Sequence, residues 1–328
     1  MHRFLVAACV SCASFEIACS ADSFSAGDAS PETGDDVVVG SDTGLDAVDA
    51  FDGAADAGTC RGQFGAPTLV LAHSPQYIVD SFTTVGDELH ALVTLVPTNA
   101  TTEERKVYAL DRTSAGDAFT IDASQPLDLT NVGPTPGAFD AALSADGLTL
   151  FFSHEQTPDG GTLDVDLYEA QRPSLTQPFA TTSKFGPGID DPTTNQFHAH
   201  AGGANLYFTV AQITNGVQGA RDLYVASLGG GVRMPIAELD GVTSQEENPV
   251  PSRDELEIFF ASNRAVASET LVYRAARTST ALAFDAPVQV PLSIVSTDIT
   301  PQYLSADGCR LYVLVDQADV YVSQRSAL

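Results

Sequence analysis

The chain has 328 residues, of which 44% are hydrophobic, and it contains 26 glycines and 18 prolines but no tryptophan. This composition is ample for one large hydrophobic core and favours a fold with many turns, which indicates an all-β protein. The net charge of −28 repels phosphate backbones and anionic lipid headgroups. It therefore excludes nucleic acid as a partner and excludes electrostatic binding to a membrane surface.

The N-terminus has the pattern of an export signal over residues 1–19. A short cationic start at His2 and Arg3 precedes the apolar run Phe4–Ala8, and small residues directly before Cys19 are typical of a bacterial lipoprotein signal. We therefore expect lipid on Cys19, although Glu16 stands where that pattern has leucine. An N-terminus without a signal is the alternative. No later run approaches the ~20 apolar residues of a membrane span, so membrane contact is expected only through this lipid.

Residues 20–60 are predicted to be a disordered acidic linker. Positions 20–59 carry ten Asp or Glu residues and no Lys or Arg. Such a segment cannot bury enough apolar surface to offset its chain entropy, and its charges repel one another. We interpret it as a tether that holds the folded part, residues 61–328, away from a membrane.

A phrase recurs five times after the linker: a tight turn, an apolar strand, and a strand that ends in tyrosine. The tyrosines are Tyr108, Tyr168, Tyr224, Tyr273 and Tyr321, with spacings of 60, 56, 49 and 48 residues. This period fits one four-stranded sheet per unit, and units of this kind close into a ring. The sequence thus predicts a five-bladed β-propeller, with a six-bladed ring as the alternative.

The two ends of the chain are predicted to share the last blade. Each unit except the fifth is followed by an outer strand around Phe and Pro, and the missing one appears at the front as Phe64–Val70. Pairing this strand with the final unit would hide the sheet edges. Cys60 lies just before it and Cys309 begins the second strand of the last unit. A Cys60–Cys309 disulfide is therefore expected, although two unpaired thiols are the alternative.

The repeat resembles the WD-like repeats of TolB-type periplasmic β-propellers. Phe259–Arg264 is similar to that family's aromatic-x-Ser-Asn-Arg phrase, and the turns at Asp146 and Asp307 are similar to its Ser-x-Asp-Gly turns. The resemblance covers residues 64–325. It implies an envelope protein that acts through contacts with other macromolecules, without chemistry of its own. Arg264, Asp146, Asp254 and Asp307 are expected to stabilise the fold.

In a propeller the innermost strands surround a central channel, so polar residues on these strands are the candidates for a ligand site. The aligned positions hold Asp80, Asp140, Asn195, Gln196, Glu246, Glu247 and Asp298. Asp80, Asp140 and Glu247 would suit a glycoside hydrolase, which needs carboxylates in different protonation states. The lack of tryptophan argues against this enzyme, because sugar sites use wide aromatic platforms.

His198 and His200 alternate along one predicted strand and would share a face, so they are considered with Asp298 as metal ligands. Further ligands at a recognisable spacing are absent, and the same acids could instead hold calcium. No cofactor is expected.

The resulting hypothesis is a non-enzymatic, exported and lipid-tethered propeller, monomeric, in the outer membrane, periplasm or cell surface. One face of its ring would bind a protein or glycan of the cell envelope. The alternative is a glycoside hydrolase.

Overall fold

The structure is a computed structural model, and it describes residues 60–99, 105–122, 126–127, 138–156, 164–214 and 217–327. The predicted signal with Cys19 and all but the last residue of the predicted linker lie outside these residues. None of the described residues forms a helix with the length and apolarity that a membrane crossing needs.

The described residues form five antiparallel sheets, and each sheet begins at an innermost strand and proceeds outward. In chain order the first four blades are β3 (Tyr77–Thr84), β4 (His90–Pro97) and β5 (Lys106–Asp111); β6 (Ala138–Leu143), β7 (Thr149–Gln156), β8 (Asp164–Gln171) and β9 (Thr181–Lys184); β10 (Thr194–Ala201), β11 (Asn205–Thr214), β12 (Val217–Ser227) and β13 (Met234–Pro235); and β14 (Glu246–Pro251), β15 (Glu257–Ser262), β16 (Leu271–Ala276) and β17 (Val288–Gln289). The fifth blade contains β18 (Ile299–Leu304), β19 (Arg310–Val315) and β20 (Asp319–Ala327), joined by β1 (Cys60–Phe64) and β2 (Thr68–Leu71).

The five sheets close into a ring. The innermost strands contact one another in a cycle, from β3 through β6, β10 and β14 to β18 and back to β3. Both N-terminal strands pair antiparallel with β20, where Phe64 lies opposite Arg325 and Leu69 opposite Tyr321. The predicted five-bladed propeller, closed by the N-terminal strand, is therefore confirmed.

The predicted turns connect each innermost strand to the next strand outward. In the second blade the Ser144 hydroxyl donates to an Asp146 carboxylate oxygen (2.6 Å), which also accepts from the Leu148 N–H (3.0 Å). The same arrangement occurs at Ser252 and Asp254. These aspartates therefore hold the turn by binding local backbone groups, as Asx turns do.

In four of the blades, an arginine at the end of the third strand holds the turn between the first two strands. Its Nε donates to a turn carbonyl and its guanidinium lies over a phenylalanine of the outer segment. The pairs are Arg112 with Phe119, Arg172 with Phe179, Arg277 with Phe284, and Arg325 with Phe64, at 4.2–5.2 Å from the ring centroids. Because Phe64 comes from the N-terminal segment, the Arg325–Phe64 pair of the fifth blade also joins the two ends of the chain.

The turn residue that supplies this carbonyl is a glycine in two blades and a glutamate in two others. Which of the two occurs depends on the neighbouring blade. Gly147 and Gly308 adopt positive φ in two turns, whereas Glu88 and Glu255 adopt φ of 56° in two others. Each of these glutamates accepts a hydrogen bond from a tyrosine on the preceding blade, Tyr312 or Tyr207. The cost of a left-handed non-glycine residue, about 1–2 kcal/mol, is thus offset by an interaction between blades.

A disulfide links Cys60 to Cys309, with 4.9 Å between their Cα atoms and 249 residues between them in sequence. This confirms the predicted pairing. The bond fixes β1 to the turn before β19, so the outermost and middle strands of the fifth blade are covalently joined.

Candidate functional site

A cavity of about 320 Å³ lies at the centre of the ring and is lined by residues from all five blades. It is strongly polar. Its charged side chains are Asp80, Arg105, Asp140, Glu155, His198, Arg221, Glu247 and Asp298. The structure therefore brings together Asp80, Asp140, Glu247 and Asp298 of the carboxylates expected at the channel.

A β-bulge in every innermost strand turns side chains toward this cavity. The pairing register shifts at Asp80 in β3, and equivalent shifts occur in β6, β10, β14 and β18. At three of them the residue is non-glycine with positive φ: Asp140 (52°), His198 (49°) and Asn248 (53°). A bulge redirects a side chain at such a point. These three residues line the cavity, and strained backbone of this kind is typical of binding and catalytic sites.

Asp140 and His198 form a buried pair between the second and third blades. Asp140 Oδ1 lies 3.1 Å from His198 Nε2, and the Ser153 hydroxyl donates to Asp140 Oδ2 at 3.2 Å. Burial opposes the ionisation of Asp140, yet the charge and hydrogen bond of His198, with Arg105 and Ser153, hold its pKa below the usual range. Burial likewise opposes protonation of His198, but Asp140 raises its pKa. Each member of the pair thus favours the charged form of the other.

Asp80 lies beside this pair, and its pKa is shifted upward, in the opposite direction from that of Asp140. Burial first and the Asp140 carboxylate second raise its pKa to about 6. Arg105 Nε, 3.8 Å from Asp80 Oδ1, only partly counters this increase. The other oxygen, Oδ2, is buried and has no hydrogen-bond partner in the described structure.

Two arginines occupy the cavity wall, and each is held by a carboxylate and an aromatic ring. The Arg105 guanidinium lies 4.3 Å from the Phe139 centroid and 3.9 Å from Glu155 Oε2. Arg221 lies 5.5 Å from the Phe197 centroid and is ion-paired with Glu247. The two rings are buried, with 5% and 8% of their surface exposed, so the guanidinium groups cover the aromatic faces.

These arginines were not anticipated, although the sequence contains a signal for them. Arg105 and Arg221 each stand three residues before the strand tyrosine of their unit, Tyr108 and Tyr224. In the second unit the corresponding residue, Val165, also lines the cavity. The position three residues before the strand tyrosine is therefore a second source of cavity residues.

Three other predicted channel residues have structural roles. Asn195 Oδ1 accepts from the Val165 N–H (3.1 Å), and the Gln196 amide donates to the Thr194 carbonyl (2.8 Å). Glu246 is buried and accepts hydrogen bonds from neighbouring side chains, among them Arg264 (3.1 Å). None of the three is part of the cavity wall formed by the described residues.

Of the residues predicted as possible metal ligands, two line the cavity and one does not. His198 and Asp298 line the cavity, whereas His200 lies outside this lining and burial lowers its pKa to about 3. Among residues that the structure describes, one trio of acidic or histidine ligands lies within 4.8 Å of one another: Asp222, Asp240 and Glu246. This trio is outside the cavity lining, and its Glu246 is engaged by Arg264.

Comparisons with known proteins support the architecture. The sequence matches no protein-family model, and no curated protein matches it significantly. Similar solved structures include a protein assigned as a glycoside hydrolase from Parabacteroides distasonis, at 11% identity, with 81% of this chain and 97% of that chain covered and a TM-score of 0.50. A protein assigned as TolB from Agrobacterium tumefaciens has 16% identity, coverage of 76% and 83%, and a TM-score of 0.42. An endo-arabinase from Bacteroides thetaiotaomicron has 9% identity, coverage of 80% and 98%, and a TM-score of 0.48.

At such identities the likeness concerns the fold alone. Solved structures assigned as TolB and as a glycoside hydrolase are both similar to this chain in fold. A shared fold does not define a function, which depends on the residues of the cavity.

Proposed function

We propose that this chain is an exported, lipid-tethered binding propeller that receives a protein or glycan partner on the face where the central cavity opens. The observation that carries the proposal is the cavity itself, since all five blades contribute polar side chains to one concave site. Concave sites with convergent polar groups are the usual places of ligand binding. In this proposal Cys19 carries the lipid, and the acidic segment 20–60 holds the ring away from the membrane.

The charge pairing in the cavity favours binding over catalysis. Asp140 is held by His198 and Ser153, and Glu247 by Arg221. A carboxylate fixed in this way is preorganised to orient a ligand. It is a poorer base or nucleophile, because the bonds that stabilise its charge must weaken when it reacts.

The test is to fill the mouth of the cavity without disturbing the ring. Gln218 lines the cavity and is exposed, so Gln218→Trp should leave the melting temperature unchanged. On arrays of envelope peptides and glycans, ligands of the full chain should lose at least about tenfold in affinity with this variant.

The matched control is Ala145→Trp, which adds the same side chain to an exposed turn at the opposite end of a blade. It should bind as wild type does. Ligands that bind both variants equally well would place the interaction elsewhere and contradict the proposal.

Glycoside hydrolysis is the second candidate, and one observation favours it. Asp80 has a pKa raised to about 6 beside Asp140, whose pKa is lowered. Neighbouring carboxyl groups whose pKa values are pushed apart are the pattern of an acid and its partner base or nucleophile. Asp80 would protonate the leaving oxygen, Asp140 would attack or activate water, and Glu247 would position the sugar.

Chromogenic glycosides and plant and bacterial polysaccharides separate the two functions. We expect no turnover by the wild-type chain on any of them. Turnover that is lost in Asp140→Asn, with a rate that falls above about pH 6 as Asp80 ionises, would replace the binding proposal with the hydrolase. A residual rate that is equal in wild type and Asp140→Asn would identify a contaminating enzyme.

A further inference from the structure

Three residues of the cavity wall occupy the same structural position in consecutive blades. Asp140, His198 and Asn248 each lie at the β-bulge of an innermost strand, with φ of 52°, 49° and 53°, and each lines the cavity. The first two bind each other at 3.1 Å. The carboxamide of Asn248 has no hydrogen bond to any residue that the structure describes, so the third position lacks the partner that the other two have.

Asn248 is buried, and its backbone fixes the direction of its side chain. Only 6% of the residue's surface is exposed, and its N–H donates to Thr209 Oγ1 of the third blade (3.2 Å). Left-handed backbone is unfavourable for a non-glycine residue, and Pro249 restricts the residue before it further toward extended backbone. Such a conformation persists only where the surroundings impose it. The carboxamide is thus held at the cavity with its donor and its acceptor both available.

We propose, on the basis of the binding function above, that Asn248 recognises the ligand of the cavity, and that it binds the backbone of an extended peptide segment of a partner protein. A carboxamide presents N–H donors and a carbonyl acceptor side by side. In an extended chain the N–H and the carbonyl of one residue point to the same side and bind as a pair, as they do between antiparallel strands. Asn248 can therefore form two hydrogen bonds with one residue of such a segment.

The charges beside Asn248 favour an uncharged ligand group at this position. Glu247, the preceding residue, is ion-paired with Arg221, and Asp140 is paired with His198. A charged ligand group would compete with these pairs and leave one of their members unpaired in a buried site. A peptide bond leaves both pairs intact.

The cavity fits a short peptide segment better than a sugar. Its volume of about 320 Å³ lies near the lower end of the range of ligand pockets, about 300–1,000 Å³, so it takes a chain end or the tip of a loop. A neutral sugar needs an open aromatic face. Here Arg105 and Arg221 lie over the buried rings of Phe139 and Phe197.

The experiment is a proton–nitrogen NMR titration of the full chain with acetyl-triglycine-amide, which offers backbone groups and no side chain. The side-chain amide signal of Asn248 is identified by its loss in Asn248→Gly, a substitution that suits the positive φ and should preserve the melting temperature. We expect the peptide to shift this signal. Acetyl-trisarcosine-amide should not shift it, because its N-methyl groups replace the N–H donors.

The affinity for acetyl-triglycine-amide, followed on backbone signals, should fall about tenfold or more in Asn248→Gly, since two hydrogen bonds are lost. The control is Asn99→Gly, which removes the same side chain from an exposed position outside the cavity lining. It should bind within about twofold of wild type.

An Asn248 signal that acetyl-triglycine-amide does not shift, an equal shift with acetyl-trisarcosine-amide, or wild-type affinity in Asn248→Gly would overturn the inference. Cellobiose or chitobiose that shifts the Asn248 signal while the tripeptide does not would assign the position to a glycan, which contradicts the peptide source. If array ligands lose affinity with Gln218→Trp but bind Asn248→Gly normally, the binding function stands and the role of Asn248 fails. If neither variant affects any ligand, both fail.

Discussion

Replacing Glu255 by alanine is expected to lower the free energy of unfolding by about 3–5 kcal/mol, because it removes a buried charge and leaves its partners unpaired. The Glu255 carboxylate accepts hydrogen bonds from the N–H groups of Ala204 (2.7 Å) and Asn205 (3.0 Å), from the Asn205 amide (2.6 Å) and from the Tyr207 hydroxyl (3.0 Å). Arg277 lies 3.7 Å away. One side chain of the fourth blade thus holds the inner turn of the third.

Urea unfolding of Glu255→Ala measures this effect, with Asp285→Ala as the control. Asp285 is an exposed carboxylate of the same blade, and its loss should change the free energy of unfolding by less than about 0.5 kcal/mol. A Glu255→Ala protein within about 1 kcal/mol of wild type would show that the contacts between these blades do not depend on this carboxylate.

The effect of Glu255 should also depend on pH in a defined direction. Burial opposes its ionisation, but the hydrogen bonds from Asn205, Ala204 and Tyr207 outweigh burial and lower its pKa below the ordinary value of 4.5. The folded state then binds fewer protons than the unfolded state. The difference in the free energy of unfolding between wild type and Glu255→Ala is therefore largest above pH 4.5. It decreases as the pH falls through the lower pKa that Glu255 has in the folded state.

The sequence predicted the architecture because the architecture depends on local signals. Turn residues such as Asp146 and Asp307, and strand tyrosines at a regular period, determine where each strand begins and ends. The front strand at Phe64–Val70 was recognisable as the missing outer strand of the last unit, and β1 and β2 pair there with β20.

The site was predictable only in part, because bulges are not visible in strand alternation. Alternation places His198 and His200 on one face, but the register shifts between Phe197 and His200. One inserted residue moves the following side chains to the other face. This is why His198 lines the cavity and His200 does not.

The contacts between blades could not be predicted from the sequence either, because they depend on pairs of residues from different units. A glutamate in a turn is accompanied by a tyrosine on the preceding blade, as with Glu88 and Tyr312. The turns with Gly147 and Gly308 have Leu92 and Phe259 at the corresponding strand position. Within one unit, the glutamate is only a departure from the Asp-Gly turn. The tyrosine that binds it belongs to the neighbouring unit.

Removing the Cys60–Cys309 disulfide is expected to lower the free energy of unfolding by about 3–5 kcal/mol, which corresponds to a melting temperature lower by on the order of 10 °C. The bond closes a loop of nearly the whole folded chain, with a sequence separation of 249 residues, and the chain-entropy model gives long loops the largest stabilisation. The measurement is thermal unfolding of Cys60→Ser/Cys309→Ser against wild type, each with and without a reducing agent.

Reduction should lower the melting temperature of wild type to that of the double variant and leave the double variant unchanged. The folded ring should survive without the bond, because Phe64 still packs on Arg325 and Phe259, and β2 still pairs with β20. Amide exchange should then be faster in β1 and β2 than in β18 and β19, since the shared sheet opens first at its outer edge. Equal melting temperatures for reduced and oxidised wild type would show that the noncovalent pairing of the chain ends is sufficient to close the propeller.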